Sequence, residues 1–180
     1  FRIGCAGIFK YAKGLPYLFK AVSQLSADGG INLELVGTVR DSEREMFDET
    51  LERTGIRDIV ELKEPIAHEA VPAWLRTLDL FVLPSVTEGC PNILMEAMAS
   101  GVPIVATRTG AVEDLVLDRV SGLLVPWGDS LALARAIYEV MEDGSLALSL
   151  GSAARARMAD FSPQVERTAW ETVYSELIEF

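Results

Sequence analysis

Metal-binding and redox residues are scarce in this chain, and the common phosphate motifs are missing. There is one histidine, His68, and there are two widely separated cysteines, Cys5 and Cys90. No H-E-x-x-H, C-x-x-C or G-x-S-x-G occurs, so zincin, dithiol and serine-hydrolase chemistry have no sequence support. No D-x-D pair is present to hold a divalent metal against a diphosphate, and no metal or resident cofactor is expected. G-x-G-x-x-G and G-x-x-x-x-G-K-[ST] are both absent, which argues against a nicotinamide or flavin enzyme and against a P-loop nucleotidase. Without a disulfide framework a reducing, cytoplasmic compartment is the default, and no apolar run is long enough to span a bilayer. Positive charge is also short: 16 Lys and Arg against 27 Asp and Glu give a net charge of −11. Whole-surface attraction to nucleic acid is therefore disfavoured. Any phosphate has to be met locally, by a few cations and a helix N-terminus.

The chain has ordinary globular composition, 180 residues with 49% apolar and 24% charged, enough for one domain with its own core. Candidate strands are residues 2–6, 31–37, 58–62, 78–84, 102–107 and 122–126. Several are continuous apolar runs, the pattern of parallel strands covered on both faces. Helical patterns fill 15–27, 41–54, 69–77, 92–100 and 111–117, and two or three more helices close the chain near 130–142, 145–159 and 163–179. Alternating strand and helix predicts an α/β fold: a doubly wound, Rossmann-like parallel sheet of about six strands with helices on both faces. Ligands on such sheets bind outside the carboxyl ends of the strands, where the strand order reverses. The chain opens on "FRIGCAG", already strand-like and without an initiator Met, which suggests a piece of a longer protein.

Residues following the strands are therefore the informative ones. In "KYAKG", Lys13 stands at the start of a helix, where a lysine opposes the helix dipole unless an anion is bound there. The alternative is a lysine pointing into water. In "EGCPNILMEAMASG", Pro91 suits a first helical turn, Gly89 allows close approach of a ligand, and Gly101 with Pro103 suits the stop. Free N–H groups around Cys90, Asn92, Ile93 and Leu94 form an expected site for an anion or sugar hydroxyls. Glu88 precedes the helix and is favourable to its dipole. Glu96 lies among Ile93, Leu94, Met95, Ala97, Met98 and Ala99, so it is expected to be buried and in need of donors, which either protein groups or a ligand's vicinal diol could supply. In "ATRTGAVEDL", Thr109 is a possible cap and Gly110 a helix opener. Arg108 is a candidate cation or a solvated side chain. His68, with no nucleophile or metal partner in view, reads as a surface or capping residue.

The stretch "PSVTEGCPNILMEAMASGVPIVATRTGAVEDLVLDRVSGLLVP" closely resembles the signature of the retaining glycosyltransferases of group 1, also called family four, which have the GT-B fold. Their E-x(7)-E is matched by Glu88 and Glu96. "KG" at 13–14, "LELVG" at 33–37, "LDLFVLPS" at 78–85 and "FSPQVERTAWETVY" follow in the family's order. The resemblance implies the C-terminal, donor-binding half of a two-domain enzyme, with catalysis in the cleft between the halves. It implies that Lys13 contacts the diphosphate of a UDP-, GDP- or ADP-sugar, Glu96 the ribose and Glu88 the donor sugar. The amides from Gly89 to Leu94, excepting Pro91, would hold sugar hydroxyls or phosphate. Transfer would be metal-independent and would retain configuration, towards an unidentified glycan, lipid or small-molecule acceptor. Peripheral membrane contact, where it occurs, would be made by the N-terminal half. Here Ile8 stands where the family usually has an arginine, leaving Lys10 or Arg108 to share the diphosphate. The alternatives are a non-catalytic nucleotide-sugar-binding module and, less well matched, a GT-B epimerase. Base selectivity is expected around Lys63 to Ile66. The isolated piece is expected to be inactive, and its last helix to cross to the other domain with Trp170, Val173, Tyr174 and Leu177 on one side.

Overall fold

Six short strands lie side by side, all parallel, in the order β3-β2-β1-β4-β5-β6. They are β1 (Arg2–Phe9), β2 (Asn32–Val39), β3 (Val60–Lys63), β4 (Leu80–Leu83), β5 (Ile104–Thr107) and β6 (Leu123–Val125). The helices between and after them are α1 (Leu15–Leu25), α2 (Arg44–Thr54), α3 (Val71–Leu75), α4 (Asn92–Ser100), α5 (Val112–Leu115), α6 (Ser130–Glu142), α7 (Gly144–Arg157) and α8 (Pro163–Ile178). This is a computed structural model, and it describes residues 1–25 and 30–178. The expected helical residues 26, 27 and 179 lie outside the described residues.

Period-2 alternation along the strands feeds two separate cores. Ile3, Leu33, Leu80, Val82, Val105 and Leu123 face one side, where α1 packs against α2 and α6. Ala6, Val36, Phe81, Leu83, Ile104 and Leu124 face the other, where α4 packs against α3 and α7. Both faces of the sheet are thus covered, which explains why β4 and β5 are buried without interruption.

Element order and type follow the sequence reading, with local differences at the ends. β1 and β2 continue past Gly7 and Gly37, which are partners in register, to Phe9 and Val39. β3 starts late because Arg57–Ile59 forms a 3-10 turn. α3 is only five residues long because a 3-10 turn, His68–Ala70, takes up its expected start. Pro91 lies just outside α4 as its N-cap rather than within its first turn.

One charge sits deep in the second layer. Glu34, in the middle of β2, is buried and receives hydrogen bonds from Lys63 Nζ at 2.9 Å and Trp74 Nε1 at 3.0 Å, with Arg2 Nε at 3.1 Å. Burial by itself would raise this carboxyl, but the hydrogen bonds from Lys63 and Trp74 and the charges of Lys63 and Arg2 outweigh it and hold it below the usual carboxylate range. The network is fully partnered and lies in the body of the sheet. α8 has the opposite character: no residue from 163 to 177 is buried, and Trp170, Val173, Tyr174 and Leu177 are all exposed.

Candidate functional site

The strand order reverses between β1 and β4, whose shared neighbour relation defines the switch point of the sheet. The loops leaving their carboxyl ends meet there. After β1, residues Tyr11–Lys13 form a 3-10 turn that Gly14 closes in a left-handed conformation, φ 70°. A β-carbon on Gly14 would stand 1.8 Å from the Pro84 carbonyl oxygen, so only glycine permits this approach. A backbone bond from Val86 N to Ala12 O, 2.8 Å, fastens the two loops together.

That approach places Lys13 against the loop after β4. Lys13 Nζ donates to Glu88 Oε1 at 2.7 Å, and Ser85 Oγ donates to the same oxygen at 2.5 Å. Both charges are largely withdrawn from water, with side-chain exposures of 20% for Lys13 and 10% for Glu88. Ser85 is itself fully buried, and its carbonyl accepts from Thr107 Oγ1 at 2.5 Å. On the far side of the loop, Gly110 (φ 51°) allows the turn after β5 to touch it, since a β-carbon there would be 1.9 Å from Glu88 O. Ala111 N donates to Gly89 O at 3.1 Å.

The start of α4 opens beside this ion pair. Its N-cap, Pro91, offers no side-chain cap. Among the described residues the amides of Gly89, Cys90, Asn92 and Ile93 have no hydrogen-bond partner, the arrangement that favours an anion or a hydroxyl. Leu94 is a correction: its amide donates to Pro91 O at 3.0 Å, and its side chain is wholly in the core. Once Pro91 serves as N-cap, the third helical amide closes the first turn and is no longer free.

Glu96 is also corrected. Only Leu94, Ala97 and Met98 of α4 are buried, so the helix has one buried stripe rather than burial all round. Glu96 lies at the edge of that stripe, 27% exposed, with His68 Nδ1 3.5 Å from its Oε1. His68 is the surface residue expected, 80% exposed, yet the end of the β3–α3 loop carries it to the acid eight residues after Glu88. The desolvation argument for Glu96 weakens accordingly.

Beside β1 and β2 an apolar cavity of about 220 Å³ is lined by Ala6, Gly7, Ile8, Val36, Gly37, Thr38, Pro65, Ile66 and Val71. The loop singled out after the third strand contributes Pro65 and Ile66, and Ile8 projects from the end of β1, 62% exposed. The two cations considered as stand-ins for a charge at Ile8 are not gathered here. Arg108 is held by Asp118 Oδ2 at 2.5 Å and Glu113 Oε2 at 3.2 Å, so two carboxylates already claim its charge. Lys10 lies in the crevice between α1 and α2, near Glu43 and Met46. Thr109 does not cap α5: Ala111 is the N-cap, and the buried Thr109 Oγ1 has no partner. Cys5 is the core residue expected, its thiol pushed up to about 12 by burial, with the nearby Lys13 charge acting in the opposite sense. Ser85, which sequence reasoning did not single out, is the unexpected member of the site.

Comparisons with known proteins place the chain in a family and a fold. Residues 1–143 match the family model described as "Glycosyl transferases group 1". The chain belongs to the group 1 glycosyl transferases, and its fold is that of the GT-B glycosyltransferases. A D-inositol 3-phosphate glycosyltransferase of Streptomyces avermitilis is 31% identical over 123 residues, 68% of this chain but 26% of that protein. Sucrose-phosphate synthase from Thermosynechococcus elongatus superposes with a TM-score of 0.86 at 29% identity, covering 99% of this chain and 46% of the other. HepE from Anabaena, solved with UDP, gives a TM-score of 0.87 at 26% identity, covering 97% of this chain and 49% of the other. It has also been solved with UDP-glucose. The chain therefore spans half or less of the length of these relatives.

Proposed function

We propose that this chain is the donor-binding, C-terminal half of a glycosyltransferase that uses a nucleoside diphosphate sugar. The observation that carries this reading is the Lys13–Glu88 ion pair at the switch point, set against amides at the start of α4 that have no partner among the described residues. Glu88 and Glu96 bracket that helix start. In the proposed complex the diphosphate draws on Lys13 and the amides, the ribose diol is held by Glu96, and Glu88 meets the donor sugar. The base fits the apolar cavity at Ile66 and Ile8. The relatives solved with UDP and UDP-glucose support this choice of ligand class. A cation and helix-terminal amides offer fixed charge stabilisation for a departing diphosphate, so the proposed transfer needs no metal. Retention of configuration is the outcome proposed by family resemblance.

The other wall of the cleft is proposed to be an N-terminal domain carrying the acceptor site, with the unburied apolar side of α8 resting on it. The isolated piece is then inactive. The test is a thermal-shift panel with UDP, GDP, ADP and their sugars, followed by a transfer assay on the full-length protein. A ligand at a hundred times its Kd stabilises by about 2.7 kcal/mol, and Glu96→Ala should abolish the response while leaving the unliganded melt near that of the wild type. No response to any nucleotide would overturn the assignment. A second reading, a nucleotide-sugar-binding module without turnover, draws on one observation. Ile8 brings no charge, and Arg108 is committed to Asp118 and Glu113. Donor binding without sugar transfer by the full-length protein would favour it.

A further inference from the structure

We propose that Ser85 is a positioning residue that occupies one oxygen of Glu88 so that the other is the one offered to the donor sugar. This rests on the donor-site reading above and deepens it.

Both donors that reach Glu88 converge on Oε1, Ser85 Oγ at 2.5 Å and Lys13 Nζ at 2.7 Å, and among the described residues Oε2 has no partner. The loop's backbone is fastened independently, by Val86 N on Ala12 O and by Ala111 N on Gly89 O. The Ser85 hydroxyl is therefore not what holds the loop in place; its one hydrogen bond is spent on the carboxylate. Its own position is fixed from beneath: the residue is fully buried, and its carbonyl takes the Thr107 hydroxyl, which bridges to Leu83 O at 3.2 Å. A hydrogen bond to an ionised acceptor at this length is short and strong, and burial adds to its directing power.

The two donors have different fates when a donor molecule arrives. Lys13 is the cation that a diphosphate would draw away from Oε1. Ser85 is uncharged and buried, and it remains. It is then the only fixed group on that carboxylate among the described residues, and the orientation of Glu88 in the loaded site depends on it. The effect belongs to the sugar half of the donor and not to the nucleotide half.

The experiment uses the full-length protein, with Ser85→Ala and Ser85→Thr. Calorimetry measures the Kd of UDP against UDP-glucose, GDP against GDP-mannose and ADP against ADP-glucose. The pair that binds the wild type is carried into an assay of nucleotide release from the sugar. Ser85→Ala should leave the nucleoside diphosphate Kd within about threefold of the wild type. It should erase the difference between the diphosphate and its sugar, and lower kcat by about tenfold, as expected for one hydrogen bond to a charged group. Ser85→Thr, which keeps the hydroxyl, should restore kcat. If Ser85→Ala fails to fold, Thr107→Val keeps the shape, cuts the tether beneath Ser85 and should show the same pattern in weaker form. Wild-type behaviour of Ser85→Ala overturns the proposal, as does an equal loss for the diphosphate and its sugar, which marks a merely structural residue. A wild-type protein that binds none of the six ligands refutes the donor-site reading itself.

Discussion

Replacing Glu88 by glutamine should tighten the binding of the nucleoside diphosphate while abolishing sugar transfer. In the unliganded site Lys13 is already engaged, 2.7 Å from Glu88 Oε1, and the pair is mostly shielded from water. A diphosphate can use that ammonium only by competing with the carboxylate. Glutamine keeps the shape of the side chain and still accepts from Ser85, but it holds Lys13 as a neutral acceptor. Charge-assisted hydrogen bonds contribute roughly 1.5–3 kcal/mol against about 1 kcal/mol for neutral ones, so freeing Lys13 becomes easier by about 1 kcal/mol. That converts to roughly a fivefold lower Kd. Calorimetric titration of wild type, Glu88→Gln and Lys13→Met with the diphosphate that the thermal-shift panel selects is the assay. Lys13→Met should weaken binding by about tenfold, the value of one charged hydrogen bond. If Glu88→Gln binds the diphosphate no better than wild type, Lys13 is not contested between the two anions, and the competition argument fails.

Four further outcomes are expected. Glu34, whose carboxyl is held below its ordinary value, contributes stability that is complete above about pH 4.5 and lost as the pH falls through the depressed value. Acid melts of wild type against Glu34→Gln should converge there, and parallel curves would refute it. Glu34→Ala leaves the Trp74 N–H without its acceptor and should cost about 1–3 kcal/mol at pH 7 by chemical denaturation. Gly14→Ala must leave the left-handed region or push against Pro84 O; a loss of about 2 kcal/mol, seen as a fall of roughly 4–8 °C in Tm, should come with a weaker nucleotide response. Arg108→Ala should leave diphosphate affinity within about twofold, because its charge is already taken by Asp118 and Glu113, and a tenfold loss would return it to the donor site.

The sheet was legible because a parallel strand buried on both faces has to be apolar almost throughout, and "LDLFVLP" and "VPIVAT" carry that signal within a few residues. Strand ends were harder to read. Gly7 and Gly37 look like stops in isolation, yet they pair in register and the strands run on. The misplaced burial of Glu96 has a related cause: α4 is apolar around most of its circumference, but the sequence does not say which side lacks a neighbour. Arg108 could not be judged locally because one of its two acids, Asp118, arrives from the loop beyond α5. Ser85 and Glu34 left traces that could have been followed. One is a hydroxyl at the end of a buried strand, three residues before an acid, and the other is a lone charge in the middle of "INLELVG".

β1 meets β4 through only two register positions, Ile3 with Leu80 and Gly4 with Phe81, whereas β1 and β2 share eight. The sheet therefore has a seam, and Lys13 and Glu88 stand on opposite sides of it. A molecule that binds both sides would act as a clamp across the join with the fewest register pairs in the sheet. Its stabilisation would be felt most across that β1–β4 join, and least in the long β1–β2 ladder.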